Sequence, residues 1–124
     1  MSGKFCIALG GLYGFLAVVL GAIGAHALKA HATDEVMALY RTANSYHFYH
    51  ALALVGAGVV AQSRASIWLK ISGACFALGV LLFCGSLYAL ALAGVHATLA
   101  PFGGVLLMIG WVTLAVSALR PSAP

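Results

Sequence analysis

Residues 67–93, IWLKISGACFALGVLLFCGSLYALALA, carry one charge, Lys70, in the whole run. Wound as a helix at about 1.5 Å per residue, the stretch reaches about 40 Å, more than the roughly 30 Å hydrocarbon core of a bilayer. No strand is that long, and a buried soluble helix does not stay apolar on every face for that distance. The segment therefore reads as a membrane-crossing helix, and the remaining sequence agrees with it. The 124 residues are 64% hydrophobic and 6% charged, with a mean hydropathy of +1.08, where soluble domains carry about a quarter charged residues. Six Lys and Arg and two Asp and Glu cannot cover the surface of a soluble protein of this size, so lipid must form part of the solvent.

Working outward, three more apolar stretches reach or approach the length of a span, giving spans at about 5–28, 45–62, 67–93 and 102–119 in a single transmembrane domain, 1–124. Polar breaks separate them: KAHATDE, QSRAS and GVHATLAP, with RPSAP after the last. The first stretch imitates a secretory leader, with Lys4, an apolar run and the small-x-small triplet Ala25-His26-Ala27. Its apolar run is longer than a leader's core, so a retained helix is expected. The expected architecture is all-α, an integral membrane four-helix bundle.

Cationic side chains set the direction. Lys4, Arg64, Lys70 and Arg120 flank one side of the four spans, Lys29 and Arg41 the other. Cytoplasmic flanks are enriched in Lys and Arg, so both termini are expected in the cytoplasm. The same scatter excludes a nucleic-acid surface, which needs its cations clustered. Ahead of the second span, Thr33 can cap a helix whose first turn holds Asp34 and Glu35. This short amphipathic extension would make a helix of about 45 Å if it ran unbroken to Gln62, overshooting the hydrocarbon. It is expected either to project from the bilayer or to lie along its surface and bend near Asn44-Ser45.

Helices in lipid associate by close approach at small residues. Gly10 and Gly14 form a GxxxG, Gly21 and Gly24 follow in the same span, and Gly85 and Ala89 supply a similar stripe in the third. Cys6, Cys75 and Cys84 show no paired or metal-binding spacing and read as small apolar residues.

With four spans, all five histidines, His26, His31, His47, His50 and His96, fall toward the non-cytoplasmic face. His47 and His50 share a helical face, with Tyr46 one turn before His50. Two readings stand. Tyr40, Tyr46, Tyr49 and His47 suit an interfacial belt, rings in the acyl chains and polar tips in water. His50 lies deeper, where an ionisable group is costly and faces the bundle interior with a partner. Imidazoles from several helices can bind a metal or haem, or with tyrosine relay protons or hydrogen-bond a quinone or a lipid headgroup. No carboxylate or thiolate partner stands at depth, and no nucleophile motif occurs, so hydrolytic catalysis is disfavoured.

Four motifs in order, GAIGAHALK (21–29), RTANSYHFYHALAL (41–54), LFCGSLYALAL (82–92) and PFGGVLLMIGW (101–111), make the chain similar to the YgdD family of small bacterial membrane proteins. That family is the domain of unknown function 423, with relatives in the eukaryotic transmembrane protein 256 group. The resemblance covers nearly the whole chain and implies a multi-pass protein of the bacterial inner membrane with no established activity. Its pattern falls here on Gly24, His26, Tyr46, His50, Gly85, Ser86, Tyr88, Pro101, Gly103, Gly104 and Trp111. The family looks to carry glutamine where this chain has His47, which moves the candidate ligand or proton site to His26, His50, Tyr46, Ser86 and Tyr88. The expected function is non-enzymatic, as a homo-oligomer or accessory subunit of a membrane complex. The alternative is binding or transport of a small molecule, proton or metal through the His/Tyr site.

Overall fold

A computed structural model describes residues 1–122. Among them are four α-helices and no strand: α1 (Gly3–Ile23), α2 (Asp34–Ser63), α3 (Ile67–Ala93) and α4 (Ala100–Leu119), with α1 continued by a π-helical turn, Gly24–Leu28. Three stretches are long and apolar enough to cross a membrane: Gly3–Leu28, Ile67–Ala93 and Ala100–Leu119. α2 has the length but not the uniform apolarity, because Asp34, Glu35 and Arg41 occupy its first turns and Asn44, His47 and His50 its middle.

The helix ends follow local chemistry. Ser2 accepts the Phe5 amide at 3.2 Å and Thr33 accepts the Val36 amide at 3.2 Å, each satisfying a donor that its helix leaves orphaned. α3 ends on Gly94, the only residue described with positive φ (66°), a conformation that costs glycine nothing. Pro101 sits in the first turn of α4, where its missing N–H has no acceptor to lose.

α2 runs unbroken from Asp34 to Ser63, with no bend at Asn44-Ser45. The extension is not a separate surface segment: Met37, Tyr40 and Ala43 are buried, and Tyr40 donates its hydroxyl to the Leu20 carbonyl of α1. Packing follows chain order, α1 on α2, α2 on α3 and α3 on α4, while α1 touches α3 only marginally. Successive helices are antiparallel. Gly3 lies against Gly58, Gly73 against Cys6, and Arg64 donates to the Arg120 carbonyl at 2.6 Å. Both helical termini and the α2–α3 connection therefore share one end of the molecule.

The close approaches differ from the expected four-residue stripe. On α1 and its π-helical continuation the buried or contacting positions are Gly3, Cys6, Gly10, Tyr13, Ala17, Gly21 and Gly24, steps of three and four with small residues every seventh position. A Cβ on Gly3 would stand 2.6 Å from the Gly58 carbonyl oxygen and one on Gly10 2.6 Å from Val55. Gly14 and Gly85 have nothing within 4 Å of a would-be Cβ, so neither serves as a packing position. Gly21 does, against Asn44, and Ala89 is half-buried. α4 repeats the sevenfold pattern at Gly103, Gly110 and Ser117. A seam of period 3.5 is the signature of the shallow left-handed crossing common in membrane bundles, rather than of the steep GxxxG crossing.

Candidate functional site

Two hydrogen-bonded clusters occupy the interior, and both are built on α2. The first joins α1, α2 and α3. The Asn44 amide donates to the Ala17 carbonyl at 2.8 Å and to the Tyr88 hydroxyl at 3.1 Å. Having accepted from Asn44, Tyr88 has its own proton for His47 Nδ1, 3.0 Å away. When Tyr88 donates it, His47 carries its own proton on Nε2. Tyr13 packs edge-on against the His47 ring at 6.0 Å and donates to the Ala77 carbonyl at 2.8 Å. Tyr40 closes the cluster, edge-on to Tyr88 at 5.2 Å.

The second cluster joins α2, α3 and α4 around His50. Its Nδ1 is 2.7 Å from the Tyr46 carbonyl, which only accepts, so Nδ1 carries the proton. Its Nε2 is 3.0 Å from the Trp111 indole nitrogen, which only donates, so Nε2 is bare. The ring is neutral, with both nitrogens occupied, and is wedged against Phe76 and Trp111. Below it, Ser72 donates to the Gly110 carbonyl at 2.8 Å. Each partner follows from helical spacing: positions 40, 44, 47 and 51 share one face of α2, while 46 and 50 lie on the adjoining one.

The structure divides the expected site. His50 and Tyr46 stay together, their rings 5.8 Å apart. Tyr88 belongs to the other cluster, with His47. Ser86 is half-buried and borders a crevice near His96, apart from both. His26 is exposed on the π-helical turn. Gly24 lies against Tyr40 on the antiparallel α2, His50 is ten residues further along α2 and His26 two residues further the opposite way on α1, so His26 and His50 stand about 18 Å apart along the helix axis. They do not form one site. The histidines do not gather at one face either: His26, His31 and His96 are exposed at the ends of helices, whereas His47 and His50 are 5% and 6% exposed inside. Tyr40 and His47 are thus interior residues, not belt residues, because each finds a partner on a neighbouring helix. Asn44 and Trp111, which complete the two clusters, are absent from the expected site. Asn44 was signalled by its place four residues after Tyr40 and three before His47. Among the described residues no three His, Cys, Asp or Glu converge. The three cysteines are free, and Cys6 and Cys84 are buried.

Because α1 and α3 barely touch, and α4 packs on α3, two crevices open toward the lipid. One, of about 230 Å³, lies between α1 and α3 beside Tyr13, His47 and Tyr88. The other, of about 810 Å³, lies between α2 and α4 over Phe83, with His50 and Trp111 in its wall.

Long apolar helices whose buried polar groups are tied off internally define a multi-pass helical membrane protein. The chain belongs to the family described as "Protein of unknown function (DUF423)", whose model matches residues 20–104. It is 39% identical over 122 residues to the UPF0382 inner membrane protein YgdD of Escherichia coli strain K12, covering 97% of this chain and 93% of that protein. It is 38% identical over 119 residues to the UPF0382 membrane protein SERP0230 of Staphylococcus epidermidis, and 37% identical to SAB0533 of Staphylococcus aureus, each covering 94% of this chain and 97% of the relative. No solved structure matches. The protein is a multi-pass inner-membrane protein of an uncharacterised family.

Proposed function

We propose that the protein is a non-enzymatic membrane component in which all four helices span the bilayer as a bundle with both termini in the cytoplasm, working as a homo-oligomer or an accessory subunit of a larger complex. The observation that carries this is the distribution of chemistry between interior and surface. Asn44, Tyr88, Tyr13, Tyr40, His50 and Ser72 spend their hydrogen bonds on one another or on backbone carbonyls, which specifies a rigid core. The large apolar side chains left outward, such as Phe15, Val18, Leu81, Phe102 and Val112, are available to lipid and to other helices. Crosslinking in cells followed by native mass spectrometry from mild detergent tests this. Recovery of a defined oligomer or a reproducible partner is expected, and a lone, monodisperse monomer with nothing crosslinked overturns it.

A second reading, a small-molecule site at His50 and Tyr46, is favoured by the large crevice that both residues line. His26, Ser86 and Tyr88 lie outside that crevice and would take part only if the helices rearranged, as alternating-access transport would demand. Proton transfer through His50 would likewise require Trp111 to release Nε2.

A further inference from the structure

The protein's five tyrosines fall into two groups. Tyr13, Tyr40 and Tyr88 point inward and each spends its hydroxyl on a partner. Tyr46 and Tyr49 are 42% and 59% exposed, line the crevice between α2 and α4, and make no hydroxyl hydrogen bond among the described residues. Phe83 packs against the Tyr46 ring at 5.0 Å, and Trp111 forms another wall, edge-on to Phe76 at 5.1 Å. Leu52 and Met108 line the rest with apolar surface. The crevice thus offers aromatic walls, two free phenol donors and an apolar run. Its volume of about 810 Å³ suits a small ligand, whose pockets span roughly 300–1,000 Å³.

We propose that this crevice binds a lipid-soluble quinone: a flat conjugated ring whose carbonyl oxygens accept from the Tyr46 and Tyr49 hydroxyls, with an isoprenoid or alkyl tail along Leu52 and Met108. The proposal rests on the second reading above and gives its ligand a chemical class. Charge argues for a neutral headgroup. No Lys or Arg lines the crevice, so a phosphate would find no cation there, whereas carbonyl acceptors match a site whose free polar groups donate. Ring stacking argues for a conjugated ligand, since a saturated acyl chain gains nothing from the quadrupoles of Tyr46, Phe83 and Trp111. Binding alone is proposed.

The test uses the full-length protein in lipid nanodiscs with decylubiquinone as the probe. In a Trp68→Phe background Trp111 is the sole indole, so its fluorescence reports occupancy of the crevice. Saturable quenching is expected, weakened about 3- to 10-fold by Tyr46→Phe or Tyr49→Phe, as for one lost hydrogen bond each. Gly104→Leu should abolish saturation. A Cβ on Gly104 meets only the Phe83 ring at 3.7 Å, so the backbone tolerates the side chain while its bulk enters the crevice. Retention of a monodisperse elution profile shows that each variant folds. Linear quenching identical in every variant overturns the proposal, because it reports partition into lipid alone. Binding in which the phenol variants are silent and added phosphatidylglycerol displaces the probe overturns the quinone assignment while leaving a lipid site. If Gly104→Leu changes the binding of neither probe nor phospholipid, the second reading fails with it.

Discussion

Hydrogen-bond polarity gives His47 and His50, three residues apart on one helix, opposite tautomers. His50 holds its proton on Nδ1, between a carbonyl that only accepts and an indole that only donates, and His47 takes the opposite tautomer when Tyr88 gives its proton to Nδ1. Nitrogen-15 NMR of the protein in lipid is expected to show two neutral rings of opposite tautomer at pH 7, and a charged or tautomerically mixed His50 would break the assignment. Replacing Trp111 with Phe leaves Nε2 without its donor and should make the His50 signal sensitive to pH, while His47 is unchanged. Tyr88→Phe removes the hydroxyl between Asn44 and His47 and strands a donor and an acceptor, at a cost of about 1–2 kcal/mol in reversible unfolding from detergent. In a double-mutant cycle with Asn44→Leu, the coupling should reach about 0.5 kcal/mol or more. His50 was legible in the sequence as a deep ionisable group needing a partner. The partner was not, because Trp111 lies 61 positions away on α4 and nothing in its neighbourhood marks it as a donor rather than a belt residue. His47 was misplaced for a related reason: interfacial and interior aromatic residues look alike until the neighbouring helix is known.

Between helices the glycines divide by what faces them, and this is open to measurement. A Cβ on Gly103 would collide with the Phe83 backbone, which cannot move aside, so Gly103→Ala should cost several kcal/mol or prevent assembly of α3 with α4. Gly24→Ala must displace the Tyr40 ring and with it the bond to Leu20, an expected loss of about 1–3 kcal/mol. Gly14→Ala and Gly85→Ala meet open space and should be neutral or stabilising by up to about 1 kcal/mol, since alanine is the better helix former. Thermal unfolding of the four variants in one detergent ranks them, and equal losses at Gly14 and Gly103 would reject the seam. The three apolar helices were plain from hydropathy, and the start of α2 from Thr33. The seam's true period was not, because small residues abound in α1 and a chance GxxxG at Gly10 and Gly14 obscured the sevenfold spacing that Gly3, Gly10, Ala17 and Gly24 share. The length argument left α2 either unbroken or bent near Asn44-Ser45; it is unbroken, with Tyr40 and Asn44 bonded to α1, and those acceptors could not be read without the neighbouring helix.

Taken together, the helices place Lys4, Arg64, Lys70 and Arg120 near one end of the molecule and Asp34, Glu35, His31 and His96 near the other. If all four helices cross, cysteines substituted at Ser2, Ser66 and Ser122 should react with a membrane-impermeant maleimide only after the cytoplasmic side is opened, and one at His96 should react from outside. Labelling of Ser66 and His96 from the same side would refute four crossings.

The dependence of α2 on α1 extends to how the protein is made. α2 is the most polar of the four helices, and the Asn44 amide and Tyr40 hydroxyl find acceptors on the Ala17 and Leu20 carbonyls of the preceding helix. Each is a group that hydrocarbon would penalise if α2 entered it alone. If α2 crosses the bilayer, the first two helices are therefore suited to leave the translocon as a paired hairpin, α1 waiting at the lateral gate until α2 has been synthesised. A ribosome-bound chain ending before Asn44 would hold a finished α1 with no companion, and the moment of commitment to the membrane would fall in the middle of α2 rather than at the end of α1.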